Sequence, residues 1–197
     1  MDLIQRAENA TRNWDPVAGG KRAWICFEDD ETYDLGADPD GVRFEEIARR
    51  MLSGDYYPPD AVRFDGRFRR EGRELRSGDR VVQQAPLLGR LGGPLLPSAA
   101  EIYVAEKHQD QCKLGYVTTT IHFGRGIWTA ELTRAEGRLS LRVWSIASPR
   151  SWLFWLGLPY ARYLQLRARR RAVEEFRKPP KPLPPASSSP GSASTGR

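Results

Sequence analysis

The spacing of hydrophobic positions changes along this chain, and each change predicts a different element. In residues 44–52 the apolar side chains recur at helical spacing, which predicts a short amphipathic helix ending near Gly54. In residues 62–69 apolar positions alternate with charged ones, which predicts a half-exposed antiparallel strand. The same reasoning, with turns between the runs, predicts strands over 23–27, 80–85, 100–106, 113–120, 126–133 and 139–148.

Three stretches carry no such pattern. Residues 28–41 are acidic and rich in turn-forming residues, so they are predicted to form a loop. Residues 86–97 are apolar but interrupted by glycines and prolines, which predicts a loop or an excursion at the sheet edge. Residues 178–197 are rich in proline and serine and cannot build a core, so we expect a disordered tail there.

A long C-terminal helix is predicted after the last strand, with Ser148 as its N-cap and Pro149 in its first turn. One short helix, six or seven closely spaced strands and one long helix indicate an α+β fold. In it, a curved antiparallel sheet wraps on the C-terminal helix. The predicted organisation is a weakly ordered segment or short helix over 1–20, one domain over 21–177 and the tail over 178–197.

Composition narrows the class of protein. The chain has 197 residues, of which 40% are hydrophobic and 28% charged, enough for one globular domain. No apolar run approaches the roughly 18 residues of a membrane-spanning helix, and the N-terminus lacks the pattern of a secretory signal. Cys26 and Cys112 form neither a disulfide framework nor a zinc pattern. We therefore expect a cytoplasmic domain without a metal or cofactor.

Charge is distributed unevenly along the chain. Residues 1–60 carry 7 basic and 14 acidic side chains, whereas residues 160–197 carry 9 basic and 2 acidic ones. The basic excess lies mainly on the predicted C-terminal helix, at Arg162, Arg167, Arg169, Arg170 and Arg171.

Three interpretations of these arginines remain open. They either solvate the helix end, partly neutralised by the acidic first third of the chain, or contact an anionic membrane surface, or contact nucleic acid. Nucleic acid is the least expected partner, because the sequence has no helix-turn-helix, RNP or zinc-finger motif. The Pro-x-x-Pro spacing in the tail adds the alternative of an adaptor that recruits a partner.

A stripe of hydroxyl and imidazole side chains follows one predicted strand. In a strand over 113–120 extended to 122, Tyr116, Thr118, Thr120 and His122 point to one face. Either this face lines a cavity, where a ligand would satisfy the polar groups, or it is an exposed sheet face. In the cavity interpretation Tyr160 and Leu164 line it from the C-terminal helix.

His122 has a second interpretation as a general base, because histidine titrates near neutral pH. Tyr116 would then orient it, since no carboxylate lies within the stripe and no nucleophile motif is present. A metal site built on His108 and Cys112 is not expected, because structural zinc sites usually show two close ligand pairs.

The same stripe carries a resemblance to a known family. Residues 114–126 read Leu-Gly-Tyr-Val-Thr-Thr-Thr-Ile-His-Phe-Gly-Arg-Gly. With residues 144–150 and a helix containing Pro159, Arg162 and Gln165, they resemble a family of uncharacterised domains in the START-like, or SRPBCC, superfamily. Tyr116, Thr118, His122 and Gly126 match that family's spacing, and Ser148 and Pro149 match approximately. Val117 and Ile127-Trp128 depart from it, where the family has Gly and Glu-Glu.

The resemblance implies a helix-grip fold with a cavity between the sheet and the long helix. Many members of the superfamily bind lipids or other apolar ligands, and some are enzymes. We therefore predict a domain that binds an apolar small molecule or lipid in this cavity. The alternatives are an enzyme on the same scaffold that uses His122, and a peripheral membrane or adaptor protein that uses the arginine-rich helix.

Overall fold

The computed structural model describes residues 2–15, 26–86, 95–149 and 153–179, and the side chains of these apart from 95–96 and 153–158. Most of the predicted strand over 23–27, most of the loop over 86–97 and nearly all of the predicted tail lie outside the described residues.

The described chain contains four helices and seven strands. The helices are α1 (Leu3–Glu8), α2 (Val42–Leu52), α3 (Arg67–Arg70) and α4 (Leu153–Arg177). The strands are β1 (Phe27–Ala37), β2 (Arg63–Gly66), β3 (Arg80–Pro86), β4 (Leu95–Lys107), β5 (Gln111–Thr118), β6 (Gly124–Ala135) and β7 (Arg138–Pro149). No helix in the described part of the chain is long and apolar enough to cross a membrane.

The strands form one antiparallel sheet in the order β1-β7-β6-β5-β4-β3-β2. Strands β2 to β7 follow one another as a meander, and β1 joins beside β7. Helices α2 and α4 pack on one face of this sheet. The predicted α+β architecture, a curved antiparallel sheet with a long C-terminal helix, is confirmed.

The predicted loop over 28–41 is wrong, because β1 continues to Ala37. Two of its acidic side chains form surface ion pairs: Arg142 contacts Asp30 at 2.6 Å, and Arg138 contacts Asp34 at 2.5 Å, both across the β1–β7 ladder. The ion-pair partners lie more than 100 residues away in sequence, so a local pattern cannot reveal them.

Two further boundaries differ from the prediction. The strand predicted from Val62 ends at Gly66, and residues 67–70 form the short helix α3. Strand β7 runs through Ser148 and Pro149, and α4 begins at Leu153, so these two residues do not cap the helix.

The main core lies where α2 and the C-terminal half of α4 pack on the sheet, with Phe44, Met51, Tyr56 and Phe176 each at most 2% exposed. The buried Asp38 carboxylate accepts the backbone N–H groups of Arg43 and Phe44 at the N-terminus of α2 (3.0 and 2.9 Å). It therefore satisfies two donors that the helix leaves free.

The N-terminal residues pack on the opposite face of the sheet. Ile4 and Ala7 of α1 contact Val82 and Ala99. Residues 11–14, which we call the N-terminal strap, then pair with the turn after β5. The backbone N–H of Thr120 donates to the Thr11 carbonyl at 2.9 Å. The predicted domain boundaries stay predictions.

Candidate functional site: a cavity between the sheet and the C-terminal helix

A cavity of about 650 Å³ lies between the sheet and α4. Its origin is a row of small residues that meet side by side across four strands. The members that line it are Thr118, Gly126 and Ala147, on β5, β6 and β7, and the row continues into the core as Ala100 on β4. The volume falls within the roughly 300–1,000 Å³ that small-molecule sites occupy.

Gly126 is the residue in this row whose size is fixed most strictly. A Cβ atom at this position would lie 2.0 Å from the carbonyl oxygen of Ile146 on β7. Any side chain here would therefore separate β6 from β7, so the row cannot be filled at this point without displacing backbone.

The next row of the same face is aromatic and forms the floor of the cavity. Tyr116 stacks on Trp128 with ring centroids 5.2 Å apart, and Phe64 approaches Tyr116 edge-on at 6.1 Å. Tyr57 lies beside Trp128 at 6.0 Å. Burial raises the pKa of Tyr116 to about 12, so its hydroxyl stays protonated at neutral pH.

Of the six residues predicted to bind a ligand, the structure places five along this cavity: Tyr116, Thr118, His122, Tyr160 and Leu164. Thr120 is not part of the lining, because β5 ends at Thr118 and Thr120 lies in the following turn. Tyr160 is 43% exposed, so it lies at the rim rather than inside.

The Thr118 hydroxyl is satisfied by protein rather than available to a ligand. It lies 2.5 Å from Oδ1 of Asn13, to which it donates, and it accepts the Gly126 N–H at 2.8 Å. Asn13 also donates through Nδ2 to the Thr119 carbonyl at 2.6 Å. Thr118 therefore attaches the N-terminal strap to the cavity end of the sheet.

His122 lies in the turn between β5 and β6. Its Nδ1 lies 3.1 Å from the backbone nitrogen of Gly124 and 3.3 Å from the carbonyl oxygen of the same residue. Desolvation lowers the pKa of His122 to about 4, against a smaller opposing effect of the Gly124 backbone. No described carboxylate hydrogen-bonds to the ring, and a pKa this low makes the imidazole a weak general base at neutral pH.

Two of the predicted surface arginines form ion pairs inside the fold. Arg162 Nη1 lies 2.6 Å from Oδ2 of Asp29, and Arg169 Nη2 lies 3.0 Å from the same oxygen. The Ser145 hydroxyl donates to this carboxylate at 3.2 Å. Desolvation would raise the pKa of Asp29, but the two guanidinium groups outweigh it and leave that pKa below its usual value. This network joins α4 to the edge strand β1.

The remaining predicted arginines differ from one another. Arg171 pairs with Asp60 at 2.9 Å, in the segment before β2. Arg167 lines the cavity half-buried, and Arg170 is exposed and outside the lining. Within the described residues, neither Arg167 nor Arg170 has a carboxylate partner.

Sequence reasoning missed two buried polar residues of the cavity. Gln83 and Ser148 are 8% and 4% exposed, and both line it. Neither Nε2 of Gln83 nor Oγ of Ser148 makes a hydrogen bond within the described part of the chain, although the Gln83 amide lies beside Tyr116. The sequence could have indicated Gln83, because this amide lies on the same strand face as the core residue Val81.

Comparisons with known proteins place the chain in a family. A family model described as a domain of unknown function (DUF1990) matches residues 29–175. No curated protein matches the sequence. Within the described residues, no group of three or more His, Cys, Asp and Glu side chains is placed to hold a metal ion.

Several crystal structures are similar in architecture. Ginseng major latex-like protein 151 from Panax ginseng is 12% identical with a TM-score of 0.42, covering 77% of this chain and 98% of that one. Protein Ms6760 from Mycobacterium smegmatis is 13% identical with a TM-score of 0.46, covering 76% and 88%. Truncated norcoclaurine synthase from Thalictrum flavum is 10% identical with a TM-score of 0.46, covering 80% and 96%. Likenesses this distant say nothing about what this chain binds.

Proposed function

This chain belongs to the DUF1990 domain family, and we propose that it binds an apolar small molecule or lipid in the cavity between its sheet and α4. The observation that carries the proposal is the aromatic floor beneath a row of small residues. Tyr116 and Trp128 are held side by side, and the space above them is left open by Gly126 and Ala147.

The physical argument concerns the cost of empty apolar space. Protein interiors are close-packed, and an apolar cavity that stays unfilled forfeits the dispersion contacts of its lining. A bound apolar molecule recovers those contacts and removes the floor from water. Residues 159–166 of α4 support this role, because none of their side chains is fully buried and Leu164 is only half-buried over the cavity.

The test is native mass spectrometry of protein purified without detergent, followed by solvent extraction. We expect an adduct that leaves on extraction, and binding of the neutral dye Nile red after extraction. A bare chain that also fails to bind the dye would contradict the proposal.

A matched pair of variants locates the binding. Ala147→Phe points a large side chain from the row of small residues into the cavity, and we expect it to abolish adduct and dye binding. Ala135→Phe, at the exposed end of β6, makes the same change outside the cavity and should leave both unchanged. Equal behaviour of the two variants would place the ligand elsewhere.

A further inference from the structure

The polar groups that the fold leaves unsatisfied in the cavity can all donate hydrogen bonds. Nε2 of Gln83, beside the Tyr116 hydroxyl, and Oγ of Ser148 make no hydrogen bond of good geometry within the described part of the chain. Buried donors without partners destabilise a protein, so a ligand that accepts hydrogen bonds would be favoured here.

The charged side chains around the cavity also favour a ligand that accepts hydrogen bonds. Among the described residues that line it, one carboxylate, Asp60, faces five guanidinium groups, on Arg125, Arg162, Arg167, Arg169 and Arg171. Asp60 is paired with Arg171, and Asp29 behind the lining is paired with Arg162 and Arg169. Arg125 and Arg167 have no carboxylate partner among the described residues, so the cavity carries an excess of positive charge.

We propose that the cavity takes an amphipathic anion, a molecule with an apolar body and a carboxylate or phosphate head, and that Arg167 contacts the head. This inference rests on the proposed function, since it specifies the ligand of the same site. The apolar body lies on the floor of Tyr116 and Trp128, and the head accepts hydrogen bonds from the Arg167 guanidinium.

Two alternatives fit the lining less well. A neutral apolar ligand would desolvate the half-buried Arg167 and the Gln83 amide without giving either a partner. A small hydrophilic anion would satisfy these groups but leave the aromatic floor in contact with water. Only a molecule that combines both chemistries satisfies the whole lining.

Arg167 is suited to contact the head because of its position on α4. It is half-buried and lines the cavity, three residues after Leu164 and four before Arg171. These spacings place all three on one side of the helix. Arg170 offers a matched control, since it is an arginine of the same helix that is exposed and outside the lining.

The experiment is displacement of Nile red from the full chain by four probes below their micelle concentrations: dodecanoate, monododecyl phosphate, 1-dodecanol and inorganic phosphate. We expect both amphipathic anions to displace the dye at concentrations at least about tenfold below dodecanol, which corresponds to about 1.4 kcal/mol. Inorganic phosphate should not displace it. Arg167→Gln should remove the preference for the anions, and Arg170→Gln should keep it.

Each of the other outcomes overturns a specific part of the proposal. Equal displacement by dodecanol and dodecanoate would overturn the anionic head while leaving the proposed function standing. Failure of the dye and of all three dodecyl probes to bind would overturn the proposed function itself. An unchanged preference in Arg167→Gln would overturn the role of Arg167. Should Arg167→Gln fail to fold, as judged by circular dichroism, Arg167→Lys retains the charge and should keep the preference.

Discussion

Two segments of α4, residues 159–166 and residues 168–176, differ in how deeply their side chains are buried against the same sheet. In the C-terminal half, Ala172, Val173 and Phe176 are at most 3% exposed and complete the main core. In residues 159–166, Tyr160 and Tyr163 are 43% and 50% exposed, and Tyr160 lies at the rim of the cavity. Apolar side chains occur in both segments of α4, whereas the strands beneath the helix change from large to small side chains. Whether α4 covers a core or a cavity therefore depends on the strands that it faces.

The largest effect should come from emptying the core half of the helix. Phe176 packs edge-on against Tyr56 at 5.4 Å and lies beneath the Arg50 guanidinium at 5.1 Å. Phe176→Ala should lower the free energy of unfolding by about 3–5 kcal/mol, because it removes a fully buried ring and leaves a cavity. Urea denaturation measures this loss.

Leu164→Ala is the matched change in the cavity half. Leu164 already faces open space, so its truncation should cost about 1 kcal/mol in the absence of ligand. Equal losses in the two variants would show that both halves of α4 are packed alike, and would break the comparison.

An intermediate effect is expected where the N-terminal strap meets the cavity end of the sheet. Thr118→Val keeps the shape of the side chain but removes the hydroxyl that pairs with Asn13 and with the Gly126 N–H. Leaving these groups buried and unpaired should cost about 1–3 kcal/mol in urea denaturation. Thr32→Val, on an exposed position of β1, provides the control and should change little. A loss confined to the control would contradict the role of Thr118.

The smallest effect concerns pH and sharpens the account of the cavity end. Because the pKa of His122 is lowered to about 4 in the folded state, the unfolded chain binds a proton more readily between about pH 6.5 and 4. The folded state should therefore lose stability as pH falls through this window. Urea midpoints at pH 7 and pH 4.5 should differ less in His122→Gln than in the unsubstituted chain.

His108 supplies the control for this titration, because it is the other histidine of the chain and is exposed. His108→Gln should leave the pH dependence unchanged. If it removed the dependence as fully as His122→Gln does, burial of His122 would not be the cause.

Local patterns were sufficient for most of the fold. Strand and helix periodicities identified β3 to β7, α2 and the C-terminal helix, because apolar residues recur in each at the spacing typical of that element. Strand β1 was missed since its charged side chains are neutralised by Arg138, Arg142 and Arg162, which are distant in sequence. An acidic stretch can therefore form a strand when distant arginines pair with it, and composition alone does not reveal those partners.

The cavity was predictable only in part. Tyr116 and His122 were predicted because they belong to a stripe of polar residues at strand spacing. Gln83 and Ser148 were not predicted. The open volume depends on which small residues become neighbours across β4 to β7, and that is set by pairing between strands rather than by any local sequence. The predicted contact of Arg167 with an anionic surface stays a prediction.

The N-terminal strap has a practical consequence for anyone producing this protein. The family match begins at residue 29, so residues 2–15 fall outside it. A fragment cut at the family boundary would lack Asn13 and Trp14, and would expose the Val117 and Ile127 side chains that Trp14 covers. Such a trimmed product is expected to aggregate or to lose order at the cavity end of the sheet. Expression tags are therefore better placed at the C-terminus. A fragment designed from the family match alone would omit residues 2–15, which pack on the sheet.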